Sequence, residues 1–313
     1  MKNPKYFICP MSKNIVDSVI ELNSELFALI PTRRQIDFDG GYVNNWDTKS
    51  FHEYVKGKSN LIIQRDHAGP NQGKKEDDGM ESFKSDSKYF DSIHIDPWKL
   101  YNKSWSDGAK KTLEIIQTLN ELNPKLKYEI CTEEAIMHFS SSDILNILRY
   151  LKSNLDEDVF NKIEYVVIQS GVGLDLVNMK NIGNFNKTRL KEMIDIVNSF
   201  GKKTKEHNGD YLSNSELGLR FENNLDGLNI GPEIAQLETM TYLEYMTEEQ
   251  IDQFYQICLD SKKWEKWVSK TFDVSDKKLL IRVCGHYCFN LFDLPKIDDI
   301  IKERLKNKLL SLP

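Results

Sequence analysis

Short apolar runs alternate with longer amphipathic stretches through the first 245 residues. The runs fall at residues 6–11, 27–31, 61–66, 92–96, 127–132, 164–169, 202–206 and 227–230. Apolar segments of this length, closed by turn residues, predict buried strands. Between them, 14–26, 47–55, 106–122, 142–154, 188–200, 213–222 and 232–245 carry apolar positions at helical spacing. Ser141-Ser142-Asp143 reads as a helix N-cap, and Gly201 as a helix stop. Residues 71–88, dense in charge, read as a loop. Eight strand–helix units predict a parallel sheet closed into a (β/α)8 TIM barrel over residues 1–246. Residues 247–313 read as a mostly helical, Trp/Lys-rich extension packed on the barrel, with one strand-like run at 279–284.

Composition narrows the function classes. A net charge of -6 and a pI near 5.7 argue against a general nucleic-acid binder. No apolar run approaches the roughly 18 residues of a membrane span, and the N-terminus lacks a signal-peptide pattern, so a cytoplasmic protein is expected. The 5 cysteines form no CxxC pair and are odd in number, as buried free thiols in a reducing compartment would be. Cys284 and Cys288 flank His286, a weak metal pattern on its own.

The candidate chemistry collects at strand ends, where such barrels place their active sites. The third strand ends in Arg65-Asp66-His67, the fourth in His94-Ile95-Asp96, the fifth in Thr132-Glu133 and the seventh in Lys205-Glu206-His207. His67, Glu133 and His207 form a two-imidazole, one-carboxylate set suited to a divalent metal, zinc above all. Asp66 is placed to move a proton beside one ligand, with Glu206 as a second catalytic carboxylate. Arg33, Arg34, Arg65 and Lys205 supply positive charge for a phosphate or carboxylate. Asp96, Gln169 and Ser170 complete the expected substrate contacts, with the Ser170-Gly171 and Gly231-Pro232 amides available to a phosphate.

In this order the motifs resemble the non-catalytic (accessory) subunit family of class II tagatose-bisphosphate aldolase. The resemblance runs through Cys9, Thr32–Gln35 with Gly40-Gly41-Tyr42, Asp66-His67-x-Gly69-Pro70, His94-x-Asp96 and Thr132-Glu133. It continues through Gln169-x-Gly171-Val172, Glu206-His207 with Asp210-Tyr211, and Ile230-Gly231-Pro232. It implies a TIM barrel related to class II ketose-bisphosphate aldolases. In that wider group an Asp-His pair supplies the acid/base and a zinc ligand, which carries to Asp66 and His67, and a later histidine resembling His207 supplies another ligand.

The chain also departs from those patterns. Catalytic members carry a further ligand histidine on the sixth strand, where this chain has Gln169-Ser170-Gly171-Val172. Arg33, Arg34 and Arg65 replace small, amide or glycine residues of the accessory family, and Ile30-Pro31 replaces an acidic position. A Gly/Pro-rich insertion after Thr-Glu is missing. Two expectations of different classes follow. One is a metal-dependent lyase cleaving an anionic sugar. The other is a non-catalytic subunit that stabilises a separate aldolase chain, alongside a possible homo-oligomer. A sugar-phosphate epimerase or isomerase would use the same residues.

Overall fold

In the computed structural model, which describes residues 4–131 and 140–313, the strand-forming runs are short and almost wholly buried. They are β1 Tyr6–Ile8, β2 Phe27–Leu29, β3 Ile62–Ala68, β4 Ser92–Ile95, β5 Lys127–Ile130 and β6 Ile163–Ile168. A small antiparallel hairpin, β7 Leu174–Asp175 with β8 Lys180–Asn181, follows. The series ends with β9 Lys203–Glu206 and β10 Gly227–Ile230. Apart from the hairpin, every pairing is parallel and the sheet closes, with β1 bonded to both β2 and β10. This is a (β/α)8 barrel.

Successive strand residues face opposite sides of the sheet. Tyr6, Ile8, Leu29, Ile63, Ile93, Ile95, Tyr128, Ile130, Val166 and Ile230 belong to the main core under the helices. Phe7, Ala28, Ile30 and Tyr165 form a separate apolar cluster, the floor of the barrel interior, with the Phe7 and Tyr165 rings edge-to-face at 5.4 Å. Above that floor the interior turns polar, and the same alternation decides which strand-end residues reach the mouth.

Two segments differ from the sequence expectation. The charged stretch read as a loop contains a helix, Met80–Tyr89, in which Ser82, Phe83, Asp86 and Ser87 are buried. Its polarity hides a core face because Asp86 is neutralised by Arg65, 21 residues away in sequence. The strand-like run lies within a helix, Lys277–Cys284. Asp276 caps it through the Leu279 amide at 3.0 Å, and Leu280, Ile281, Val283 and Cys284 bury one flank. Tertiary packing thus outweighs the β-branched composition.

Beyond the Pro232–Tyr245 helix come Glu248–Ser261, Lys277–Cys284 and Asp298–Leu310. The last helix packs against Lys13–Leu22, beside the start of the barrel, and against Pro232–Tyr245. Tyr6 donates its hydroxyl to the Pro313 carbonyl at 2.7 Å. All five cysteines are free thiols, and four are buried. No helix among the described residues is long and apolar enough to cross a membrane.

Candidate metal centre

Asp66 and His67 are neighbours on β3, and plain strand alternation would send them to opposite faces. A bulge prevents this. The β3–β4 register shifts between Arg65 and Ala68, and His67 takes a left-handed backbone with φ of 45°. Such a conformation costs a non-glycine residue about 1 kcal/mol or more, which the surrounding bonds must hold in place. Gly69 permits the next step of the loop: a Cβ there would lie 2.2 Å from the Asp96 carbonyl oxygen. The close approach brings the end of β3 against the end of β4.

Three imidazoles converge here, with ring centroids 5.0–5.2 Å apart. Each is anchored through one nitrogen. His67 Nδ1 meets Asp96 Oδ2 at 2.6 Å, His207 Nε2 meets Glu129 Oε1 at 2.8 Å, and His94 Nε2 meets the Cys131 carbonyl at 2.6 Å. All three partners can only accept, so each anchored nitrogen carries a hydrogen, and a ring without a second proton presents its lone pair on the other. Asp66 closes the group, its Oδ1 3.4 Å from His94 Nδ1 and its Oδ2 3.9 Å from His67 Nε2. His94 Nδ1 also receives the His67 amide at a long 3.2 Å.

One potential ligand atom from each of Asp66, His67, His94 and His207 lies within 4.8 Å of the other three. Ligands around a tetrahedral zinc-type ion sit roughly 3.4 Å apart, so shifts of about 1 Å would close the three imidazoles on one ion and leave Asp66 beside it. Anchoring of each ligating ring by an acceptor on its opposite nitrogen is the usual second layer of such sites. The residues fit a divalent metal. Among the described residues no other group of this kind has that geometry.

The floor beneath is ionic. Lys205, fully buried, contacts Glu129 Oε2, and its ammonium lies 3.6 Å above the Phe7 ring. Gln64 donates to Glu129 Oε2 at 2.6 Å and accepts from Lys205 at 3.2 Å. Burial opposes ionisation of Glu129, but Lys205 and the imidazoles of His94 and His207 hold it well below the ordinary carboxylate range. Burial likewise works against Asp66, and His67, His94 and His207 pull it below its usual value, so it stands as a carboxylate.

Several expected site residues are committed elsewhere. Arg65 faces outward, as alternation from Asp66 requires. Its guanidinium grips Asp86 with two 2.7 Å bonds, donates to the Pro31 and Ile36 carbonyls, and lies over Phe90. Arg33 is spent on Asp37, Asp77 and the Gly69 carbonyl. Glu206 also faces outward, to Arg220 at 2.9 Å and to the Ser170 amide. Asp96 orients His67 and accepts from Gln72 at 3.1 Å. Gln169 folds onto the Gly171 and Val172 amides, at 2.8 Å each, and Gly231 donates its amide to Asp210 at 2.8 Å. These amides are therefore not offered to a phosphate. Lys205 lies under the histidine cluster, paired with Glu129, rather than on the rim. Glu133 lies outside the described residues. Arg34 alone of the three arginines is exposed.

Sequence reasoning placed His94 at a strand end without assigning it to the metal, and missed Glu129 entirely. Both follow from the period of two: His94 shares a face with Asp96, and Glu129 with Cys131. Because Arg65 closes a fully buried pair, Arg65→Met should lower stability by about 3–5 kcal/mol in chemical denaturation. Its KM for any anionic substrate should stay unchanged; a large rise in KM with intact stability would restore Arg65 to the site.

No family model matches the chain, and no curated protein matches it. Solved structures do. A probable tagatose 6 phosphate kinase from Sinorhizobium meliloti superposes with a TM-score of 0.73 at 15% identity, over 99% of this chain and 89% of that one. The fructose-bisphosphate aldolase of Campylobacter jejuni gives 0.57 at 12% identity, over 98% and 88%. The fructuronate-tagaturonate epimerase UxaE of Cohnella laeviribosi gives 0.61 at 12% identity, over 99% and 78%. The shared fold is a (β/α)8 barrel. At these identities the likeness is one of fold, and it does not single out the accessory-subunit family.

Proposed function

We propose that the protein is a metal-dependent lyase of the aldolase type acting on a phosphorylated or otherwise anionic sugar. The observation that carries this reading is the set of three imidazoles, each tied through one nitrogen to an acceptor, gathered around the Asp66 carboxylate. His67, His94 and His207 would hold the ion, which when bound polarises a carbonyl oxygen and favours loss of the adjacent carbon–carbon bond. Asp66, a carboxylate at neutral pH, takes the proton from the hydroxyl on the carbon released as an aldehyde. Asp96 fixes the His67 ring, and Glu129, charged through Lys205, fixes His207. The His67 side chain, 24% exposed, is the cluster's opening to solvent, whereas those of Asp66, His94 and His207 are buried.

The test is turnover of metal-loaded protein on a panel of ketose phosphates, ketose bisphosphates and ketohexonates, followed by release of aldehyde. The ketohexonates belong in the panel because one structural neighbour is a fructuronate-tagaturonate epimerase. Asp66→Asn should lower kcat by roughly 100-fold or more with metal content retained. Inversion at carbon without cleavage would replace the lyase reading by an epimerase one. Lack of turnover on every substrate, with a stable complex on co-expression with a catalytic aldolase chain, would establish the accessory-subunit role instead.

A further inference from the structure

The positive pole expected at the strand ends lies to one side of them. Arg34 lines a concavity of about 460 Å3 between the loops after β2 and β3 and the C-terminal extension. Lys74 joins it from the β3 loop, and Lys262, Lys263 and Lys266 from the segment after the Glu248–Ser261 helix. Glu265 is the one acid in the lining. Among the described residues none of these five cations makes an ion pair. Arg34 reaches only the Gly73 carbonyl, at 3.5 Å.

Five unpaired cations facing one hollow are costly in a chain with 48 acidic and 42 basic residues, because their mutual repulsion is offset only by a counter-charge. Lys266 registers that cost. The surrounding protein, then Arg34 and Lys263, pull its ammonium down to about 8, although the side chain stays open to solvent on the pocket side. It remains mostly protonated at neutral pH. Its ammonium lies 4.3 Å from the Trp267 ring centre and 5.2 Å from that of Tyr287. Tyr287 accepts the Trp267 indole N–H at 3.2 Å, which leaves its hydroxyl hydrogen to donate. Burial raises the pKa of Tyr287, so that hydrogen is kept at all ordinary pH.

We infer that this pocket is a phosphate site, built by the β2 loop and the C-terminal extension and separate from the metal cluster. The charge calls for a dianion, and guanidinium, ammonium and phenol donors together match the three terminal oxygens of a phosphoryl group. The two sites are mechanically close. Gln72 bonds the Asp96 carboxylate that holds His67, and the next residue, Gly73, forms part of the pocket wall. The phosphoryl group is either one end of the substrate proposed above or a free phosphate-bearing effector.

Isothermal titration of the full chain with inorganic phosphate tests the site without reference to any reaction. Binding should be measurable in the native protein, with or without chelator, and weakened at least tenfold by Arg34→Met and by Lys266→Met, while metal content is unchanged. These side chains are exposed, so both variants should fold, which a thermal melt checks. A ketose bisphosphate that binds more tightly than inorganic phosphate, and loses that advantage on chelation, identifies the substrate as the source; equal affinity with and without metal identifies an effector. Absence of phosphate binding in the native protein, or unchanged affinity in both variants, would overturn the inference. Failure of the metal reading would show separately, as missing metal.

Discussion

Replacing His67 or His207 by alanine is expected to yield a folded protein without bound metal, whereas the native chain loaded with zinc, manganese or cobalt retains about one equivalent. The expectation rests on geometry rather than on residue type. Each ring is already turned by its acceptor, so little ring ordering remains to oppose binding, and His94 Nδ1 has only the long 3.2 Å bond from the His67 amide to give up. Asp96→Asn removes the anion behind His67 while keeping its shape, and should weaken metal affinity by roughly 10–100-fold rather than abolish it. Metal removal should also lower the melting temperature, since an ion at 100 times its Kd stabilises the folded state by about 2.7 kcal/mol. Elemental analysis with melting curves reads both effects. Native protein that takes up no ion, or alanine variants that keep it, would end the metal reading and with it the proposed mechanism.

Lys205→Met should destabilise the protein by about 3–5 kcal/mol, because it strands the Glu129 carboxylate inside the barrel above an aromatic floor. The double variant Lys205→Met, Glu129→Gln should recover most of that loss, since no buried charge is then left unpaired. It should still bind metal more weakly, because His207 loses its anionic anchor. Urea denaturation of the three variants measures the cycle, and additive losses would show that the two groups do not interact. The pH dependence follows from the same pair. Glu129 and Asp66 have folded pKa values below their unfolded ones, so the unfolded chain binds more protons as pH falls. Their stabilisation is therefore complete above the ordinary carboxylate range and is lost on acidification through it and below. Glu129→Gln should flatten that acid limb.

Some of this architecture is written locally. A run such as Phe27-Ala28-Leu29 followed by a turn has few options but a buried strand, and eight such units in order leave a closed barrel as the natural solution. Asp66 and His67 were legible because charged groups at a strand end in a barrel point to its mouth. Where local reading failed, a partner distant in sequence decided. The Met80–Tyr89 helix looked too polar to pack until Arg65 supplied the counter-charge for Asp86, and Arg65 looked like an anion binder until Asp86 claimed it. The two errors are one interaction seen from its two ends. Glu206 repeats the lesson: strand alternation sets it on the face opposite Lys205 and His207, where Arg220 waits on the following helix.

What the sequence by itself determined is the succession of strands and helices and the presence of proton-active and imidazole groups at the strand ends, since both follow from hydrophobic periodicity along a short stretch of chain. What only the tertiary structure decided is which of those groups meet. The β3 bulge that turns His67 inward, the carbonyl and carboxylates that orient three rings, and the loop and extension that gather Arg34 with Lys266 all depend on contacts between residues far apart in sequence. Local propensity carries no record of such contacts, because their energy arises only when the barrel has closed.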